Sequence, residues 1–241
     1  MNKYIVSEIV RDLLKKEMNM VDYPLPKEFE TQEGQHSDYG KMFNQATRYR
    51  AHKLKRIAIL DVDIGGNFIG SVILIASEDE YDFPFIVVNV AFSKDENGKD
   101  RIFVEFESKP LVKDEESTRK YIDPLRSWRD AIGKLPSEPM SGFGELGDFL
   151  KANISPIEYI RWVPIEYLDQ VLDFTRQFFE IIIDYWKKAE PVQDPERRKK
   201  IDEFRREYNR HILDEDPSGR TAIETFGREK ALLYFQNLTF I

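Results

Sequence analysis

Glu105 and Glu107 stand at alternate positions of an otherwise largely apolar run, Arg101 to Ser108. Side chains of a strand point to opposite faces in turn, so Ile102, Val104 and Phe106 share one face while Arg101, Phe103, Glu105 and Glu107 share the other. If helices cover the second face, a carboxyl group there has its pKa raised and can give up a proton near neutral pH. If that face meets water, the same residues simply pair with Arg or Lys. The residues alone leave both readings open. Glu78, Asp79 and Glu80 close an earlier strand, and Asp216 precedes Pro217, the pattern of an ordinary helix N-cap.

Other chemistries find little support. The chain has no Cys, which removes disulfides, thiolate metal sites, iron–sulfur ligation and a Cys nucleophile. His36, His52 and His211 are isolated and read as structural. No Gly-rich phosphate loop follows a strand, no His pair has metal spacing and no Ser nucleophile elbow is present. A formal net charge of −8 argues against general attraction to nucleic acid. The charge is nevertheless uneven. The stretch from Lys187 to Arg210 is rich in Lys and Arg, with Arg197, Arg198, Lys199 and Lys200 in a row. It is either a solvated helix face or a docking surface for an acidic partner. Residues 1–20 mix charged and apolar residues at helical spacing, which predicts an amphipathic helix rather than a signal peptide or membrane span. A soluble, cytoplasmic chain is expected.

The elements that must position these groups follow from periodicity. Residues 22–47, with Pro24, Pro26, Gly34 and Gly40, read as irregular, with a short helix near Tyr39 to Arg48. Four strands follow, with Gly65-Gly66-Asn67 and Asn97-Gly98 as hairpin turns, which gives an antiparallel meander. The strand from Phe83 to Phe92 is nearly continuous apolar, as if covered on both faces. Helices are predicted over Asp114 to Gly133, from a capping box at Ser155 and Glu158, over Pro164 to Lys188, from Asp194 to about Leu213, and from Asp216 onward with an interruption at Phe226-Gly227. No repeat or linker divides residues 1–241, so one α+β domain is expected, its helices packed on the sheet around a small-ligand site. The 17 Phe and 11 Tyr fit a large core or the lining of a flat conjugated ligand.

Three segments resemble the ferredoxin-dependent bilin reductases. Tyr208 to Phe240 has a Tyr-containing helix, an acidic Asp-Pro turn at Asp216, Phe226-Gly227 ten residues on, and a last helix. Residues 50–60 and 77–92 resemble the family's opening hairpin, its Tyr-Asp-Leu-Pro turn and the next strand, and Glu107 to Leu111 resembles its Asp-Phe-Gln-Pro-Leu. Together they cover about half of the chain in family order. The resemblance implies an α/β/α sandwich with a central antiparallel sheet, and a linear tetrapyrrole held between sheet and C-terminal helices. It implies no bound metal or flavin, electrons delivered singly by reduced ferredoxin in a transient complex, and protons from carboxylates to a bilin radical.

Carried over by position, Glu107 takes the place of the family's central Asp and is the expected principal proton donor. Asp216 is the expected second donor from the helical side, and Glu78 a positioning or donating group. Glu105 is the alternative donor if the strand register differs, and Arg101 could pair a propionate. Val90 stands where the phycocyanobilin-forming branch has a His, which argues against that branch's four-electron reduction, and Lys230 stands near the family's Trp. Arg197, Arg198, Lys199 and Lys200 become the expected ferredoxin surface. The rival expectations are a reductase of another tetrapyrrole, such as a chlorophyll catabolite, and a non-catalytic tetrapyrrole carrier. A monomer suffices for transient one-electron docking.

Overall fold

The alternating runs of the first half form one nine-stranded antiparallel sheet in the computed structural model, which describes residues 2–140 and 145–241. Met1, where the predicted amphipathic stretch begins, lies outside them. The strands are β1 (Val21–Asp22), β2 (Thr31–His36), β3 (Gly40–Ala51), β4 (Leu54–Ile64), β5 (Phe68–Ser77), β6 (Phe85–Lys94), β7 (Asp100–Lys109), β8 (Glu138–Pro139) and β9 (Tyr159–Pro164). Their order is β1-β3-β4-β5-β6-β7-β9-β8, with β2 also paired to β3. The predicted hairpins join β4 to β5 and β6 to β7. Gly65, Gly66 and Gly98 take the positive φ values (61°, 70° and 77°) that these tight turns demand.

One face of the sheet carries α1 (Ile5–Met18), α3 (Glu115–Ser117), which continues through a π-helical stretch into α4 (Asp123–Ile132), and the long α6 (Leu168–Lys188). Val171, Phe178, Phe179 and Ile182 of α6 meet Val88, Val104 and Phe106 of the sheet in a water-free core. The other face carries α7 (Pro195–Glu215), α8 (Pro217–Phe226) and α9 (Arg228–Leu238), with the short α2 (Lys27–Glu30) and α5 (Asp148–Ala152) beside them. The α/β/α sandwich is therefore the observed architecture. Among the described residues, no helix is long and apolar enough to cross a membrane.

Two segments differ from expectation. Residues 31–51 form the β2–β3 hairpin, not a loop with a short helix. Met42 and Ala46 alternate with exposed positions and pack into the α7-side layer, and β3 pairs with β4 along most of its length, so long-range pairing overrides weak local signals. The Ser155–Glu158 segment caps no helix. The Ser155 hydroxyl donates to the Ser108 carbonyl at 2.7 Å, tying the chain to the end of β7, and β9 starts at Tyr159.

Candidate active site

Register places the chemistry on the α7 face. Leu60, Val72, Asn89, Glu105 and Ile160 are successive partners across β4, β5, β6, β7 and β9 and form one row of side chains. The next row runs Ala58, Leu74, Val87 and Glu107. Val72, Val87, Asn89, Glu105 and Ile160 are half-buried, although they lie in the middle of a large sheet beneath a helical layer. Directly behind them, Ile73, Val88, Val104 and Phe106 are fully buried. A solvent-accessible cleft therefore runs over the centre of the α7 face, with small aliphatic side chains for much of its floor.

Acidic groups converge on this cleft. Glu105 lies in the first row and Glu107 in the second, on the same strand face. Glu158 precedes Tyr159, the partner of Phe106, so extending the ladder by one residue sets Glu158 beside Glu107. Asp216 comes from the helical side at the α7–α8 junction. Its carboxylate caps α8 by accepting from the Ser218 backbone N–H at 2.7 Å, as the Asp-Pro pattern predicts. Lys109, one row below, places its ammonium 3.0 Å from the Glu107 carboxylate in an almost fully buried ion pair, and the same ammonium sits 5.1 Å from the Tyr208 ring.

Two of these acids, Glu105 and Glu158, have their proton affinity raised by burial and by the carboxylates around them. The Glu105 carboxyl is pushed up to about 8, first by burial and then by Glu107, Asp216 and Glu158. Glu158 is pushed up to about 7 by burial and Glu107, with Lys109, Arg129 and Arg161 pulling the other way. The Tyr208 hydroxyl on α7, packed against Phe85, is raised by burial and then by Glu107, Asp216 and Glu105. Glu105, Glu107 and Asp216 are thus brought together.

Other expected site residues are placed elsewhere. Val90 faces the opposite core with Val104 and does not line the cleft. Side chains of β6 alternate, so its neighbour Asn89 is the one beside Glu105, with a buried amide oxygen that finds no hydrogen-bond partner among the described residues. Arg101 shares the Glu105 face but lies at the far end of β7, its guanidinium stacked 3.8 Å from the Trp162 ring. Glu78 follows the last residue of β5, four residues beyond Leu74 of the Glu107 row and thus about 13 Å along the chain. Its carbonyl accepts from the buried Arg205, which also binds the Ser77 hydroxyl and the Tyr81 carbonyl.

Arg197 is no free docking residue. Only 12% exposed, it pairs with Asp82, with Asp114 at 2.7 Å and with Glu116 at 3.3 Å, clamping the loop after β5 and the start of α3 to α7. Arg198, Lys199 and Lys200 are exposed. Sequence reasoning missed Asn89, Glu158, Lys109 and Tyr208. Asn89 could have been found as the one polar residue in the centre of the β6 run. Among the described residues, no group of three or more His, Cys, Asp or Glu is placed to hold a metal ion.

The sheet and the helical layer thus bring a cluster of acids together on the α7 face. Residues 7–240 match the family model for ferredoxin-dependent bilin reductases, and the chain belongs to that family. It is 23% identical over 196 residues to the 15,16-dihydrobiliverdin:ferredoxin oxidoreductase of Nostoc punctiforme, a match covering 80% of this chain and 76% of that one. Its fold is that of phytochromobilin synthase from tomato, solved in complex with biliverdin. The TM-score is 0.73 at 14% identity, over 94% of this chain and 79% of that one. The protein is thus an oxidoreductase that reduces a bilin with electrons from ferredoxin.

Proposed function

We propose that the chain reduces one double bond of biliverdin or its 15,16-dihydro derivative, bound flat over the Val72–Asn89–Glu105 row, and that Glu105 is the first proton donor. Each double bond takes up two electrons, one from each of two reduced ferredoxins, and two protons. After the first electron, the Glu105 O–H gives its proton to the bilin radical anion and becomes a carboxylate. Asp216, on the opposite wall, is the second donor. Glu107, tied to Lys109, tunes and reloads Glu105 rather than meeting the substrate first. The unsatisfied Asn89 amide oxygen is an acceptor suited to a pyrrole N–H.

The observation that carries this reading is Glu105 itself, a half-buried carboxyl group among acids, whose pKa is pushed up to about 8 first by burial and then by Glu107, Asp216 and Glu158. Glu78 and Arg101, at the ends of the cleft, are assigned to positioning the ligand. Ferredoxins being acidic, the exposed Arg198, Lys199 and Lys200 on α7 form the docking patch, and Lys200 lies eight residues, about 12 Å along the helix, from Tyr208. The reading further takes the chain to act as a monomer in the cytoplasm, where reduced ferredoxin would meet it.

The test is to mix the protein with biliverdin and, separately, with 15,16-dihydrobiliverdin, record the absorption spectra, and then add a reducing ferredoxin system. A spectral shift on binding, followed by bleaching to a product with a shorter conjugated system for one of the two bilins, is expected. Binding without any change under reduction would leave a carrier and contradict the proposal.

A further inference from the structure

Glu105 gives one proton per transfer, and a bilin lying flat over it, as proposed above, shuts off solvent from the cleft side, so a fresh proton must come along the face of the sheet. Glu158 is the acid at the margin of that face. It sits where β9 begins, half-buried, with the exposed Pro156 on one side and the Tyr159 strand position on the other. The backbone there is fixed. The Arg129 guanidinium donates to the Glu158 carbonyl at 3.0 Å, and the Glu158 N–H donates to the Ser155 carbonyl at 3.0 Å. Lateral neighbours in a sheet are about 5 Å apart, so the Glu158 and Glu107 side chains are in reach of each other, and Glu105 is two residues, about 7 Å, further along β7. Glu158 therefore lies across the strands from Glu107, and Glu105 lies along β7 from it, so Glu107 stands at the corner between the other two.

We propose that Glu158 is the proton-loading residue of the enzyme, passing protons through the Glu107 carboxylate to Glu105. The proposal rests on Glu105 being the donor. The step is an exchange with no redox change. The Glu158 O–H bond breaks, Glu107 takes and passes on the proton, and the Glu105 carboxylate left by the previous transfer becomes a carboxyl. Water then reloads Glu158. Burial and neighbouring carboxylates push both Glu105 and Glu158 up toward neutrality, so each can hold and exchange a proton there. The charged groups facing Glu158 are Glu107 and Lys109 from β7, Arg129 from α4 and Arg161 from β9. Lys109 anchors the middle carboxylate. Glu158 does not reach the bilin in this arrangement and acts only through the other two.

The experiment compares Glu158→Gln, Glu158→Asp and Glu105→Gln in steady-state bilin reduction across pH 6 to 9, with bilin binding followed separately by absorption. Glu158→Gln should bind bilin, lower turnover about tenfold, and lack the decline of turnover above about pH 7 that the relay predicts for the wild type. Glu158→Asp keeps an ionisable group and should restore most of the rate and the pH limb. An unchanged rate and pH limb in Glu158→Gln, or equal losses in the Gln and Asp variants, would overturn the relay. The two readings fail separately. Full turnover in Glu105→Gln removes the donor assignment, whereas an inactive Glu105→Gln beside an unaltered Glu158→Gln removes the relay alone.

Discussion

The two faces of β7 are made from neighbouring residues and have opposite fates. Val104 and Phe106 disappear into the dry core under α6, while Glu105 keeps access to solvent under α7. One face is packed to specify the sandwich. The other leaves a gap, lines it with small side chains and concentrates acids there at a cost in stability, since carboxylates are crowded away from bulk water. The comparison teaches that in this fold a single strand separates stability from chemistry, one residue at a time.

Breaking the dry face should have the largest effect. Phe106 packs edge-on against Trp128 at 5.0 Å and against Phe178 at 5.2 Å. Phe106→Ala should cost about 3–5 kcal/mol of unfolding free energy, measured by denaturant titration. The folded fraction should still bind bilin, because the cleft lies on the far side of the strand. Next comes the chemical face. Glu105→Gln should slow bilin reduction by roughly a hundredfold or more in a single-turnover assay, with binding retained, since an amide fills the same space but donates no carboxyl proton.

The same substitution sharpens the comparison through stability. Glu105 binds its proton more tightly folded than unfolded, so the fold loses stability as pH rises from the ordinary 4.5 toward about 8. The Glu105 share of that loss should be on the order of 5 kcal/mol and should vanish in Glu105→Gln, which keeps only the smaller share of Glu158, as read from unfolding midpoints over this range. The smallest effect is expected on the outside of α7. Replacing Arg198, Lys199 and Lys200 with Glu together should raise the KM for ferredoxin severalfold, more at low salt than at high, while fold and bilin affinity stay as they are.

How much of this was legible in the sequence depends on how local the signal was. The faces of β7 and the two Gly-containing hairpins were readable because alternation and turn chemistry act over a few residues. The phase of β6 was not, because Phe85 to Phe92 is almost wholly apolar and nothing but Asn89 marks which side faces the cleft. That is why Val90 was expected at a position that Asn89 occupies. Arg197 was hidden within a run of surface cations because its partners Asp82 and Asp114 lie 115 and 83 residues away. Glu158 was hidden by a short pattern that mimics a helix cap, and only the pairing of β9 with β7 shows it among the acids.

The central claim is that the cleft keeps one carboxyl protonated at neutral pH. Infrared difference spectroscopy of the folded protein, with Glu105→Gln as the reference, reads that group directly through its carboxyl stretching band across pH 4 to 9. A band assigned to Glu105 that persists through neutrality and titrates near pH 8 is predicted. A Glu105 that is already ionised by pH 5 would contradict the account.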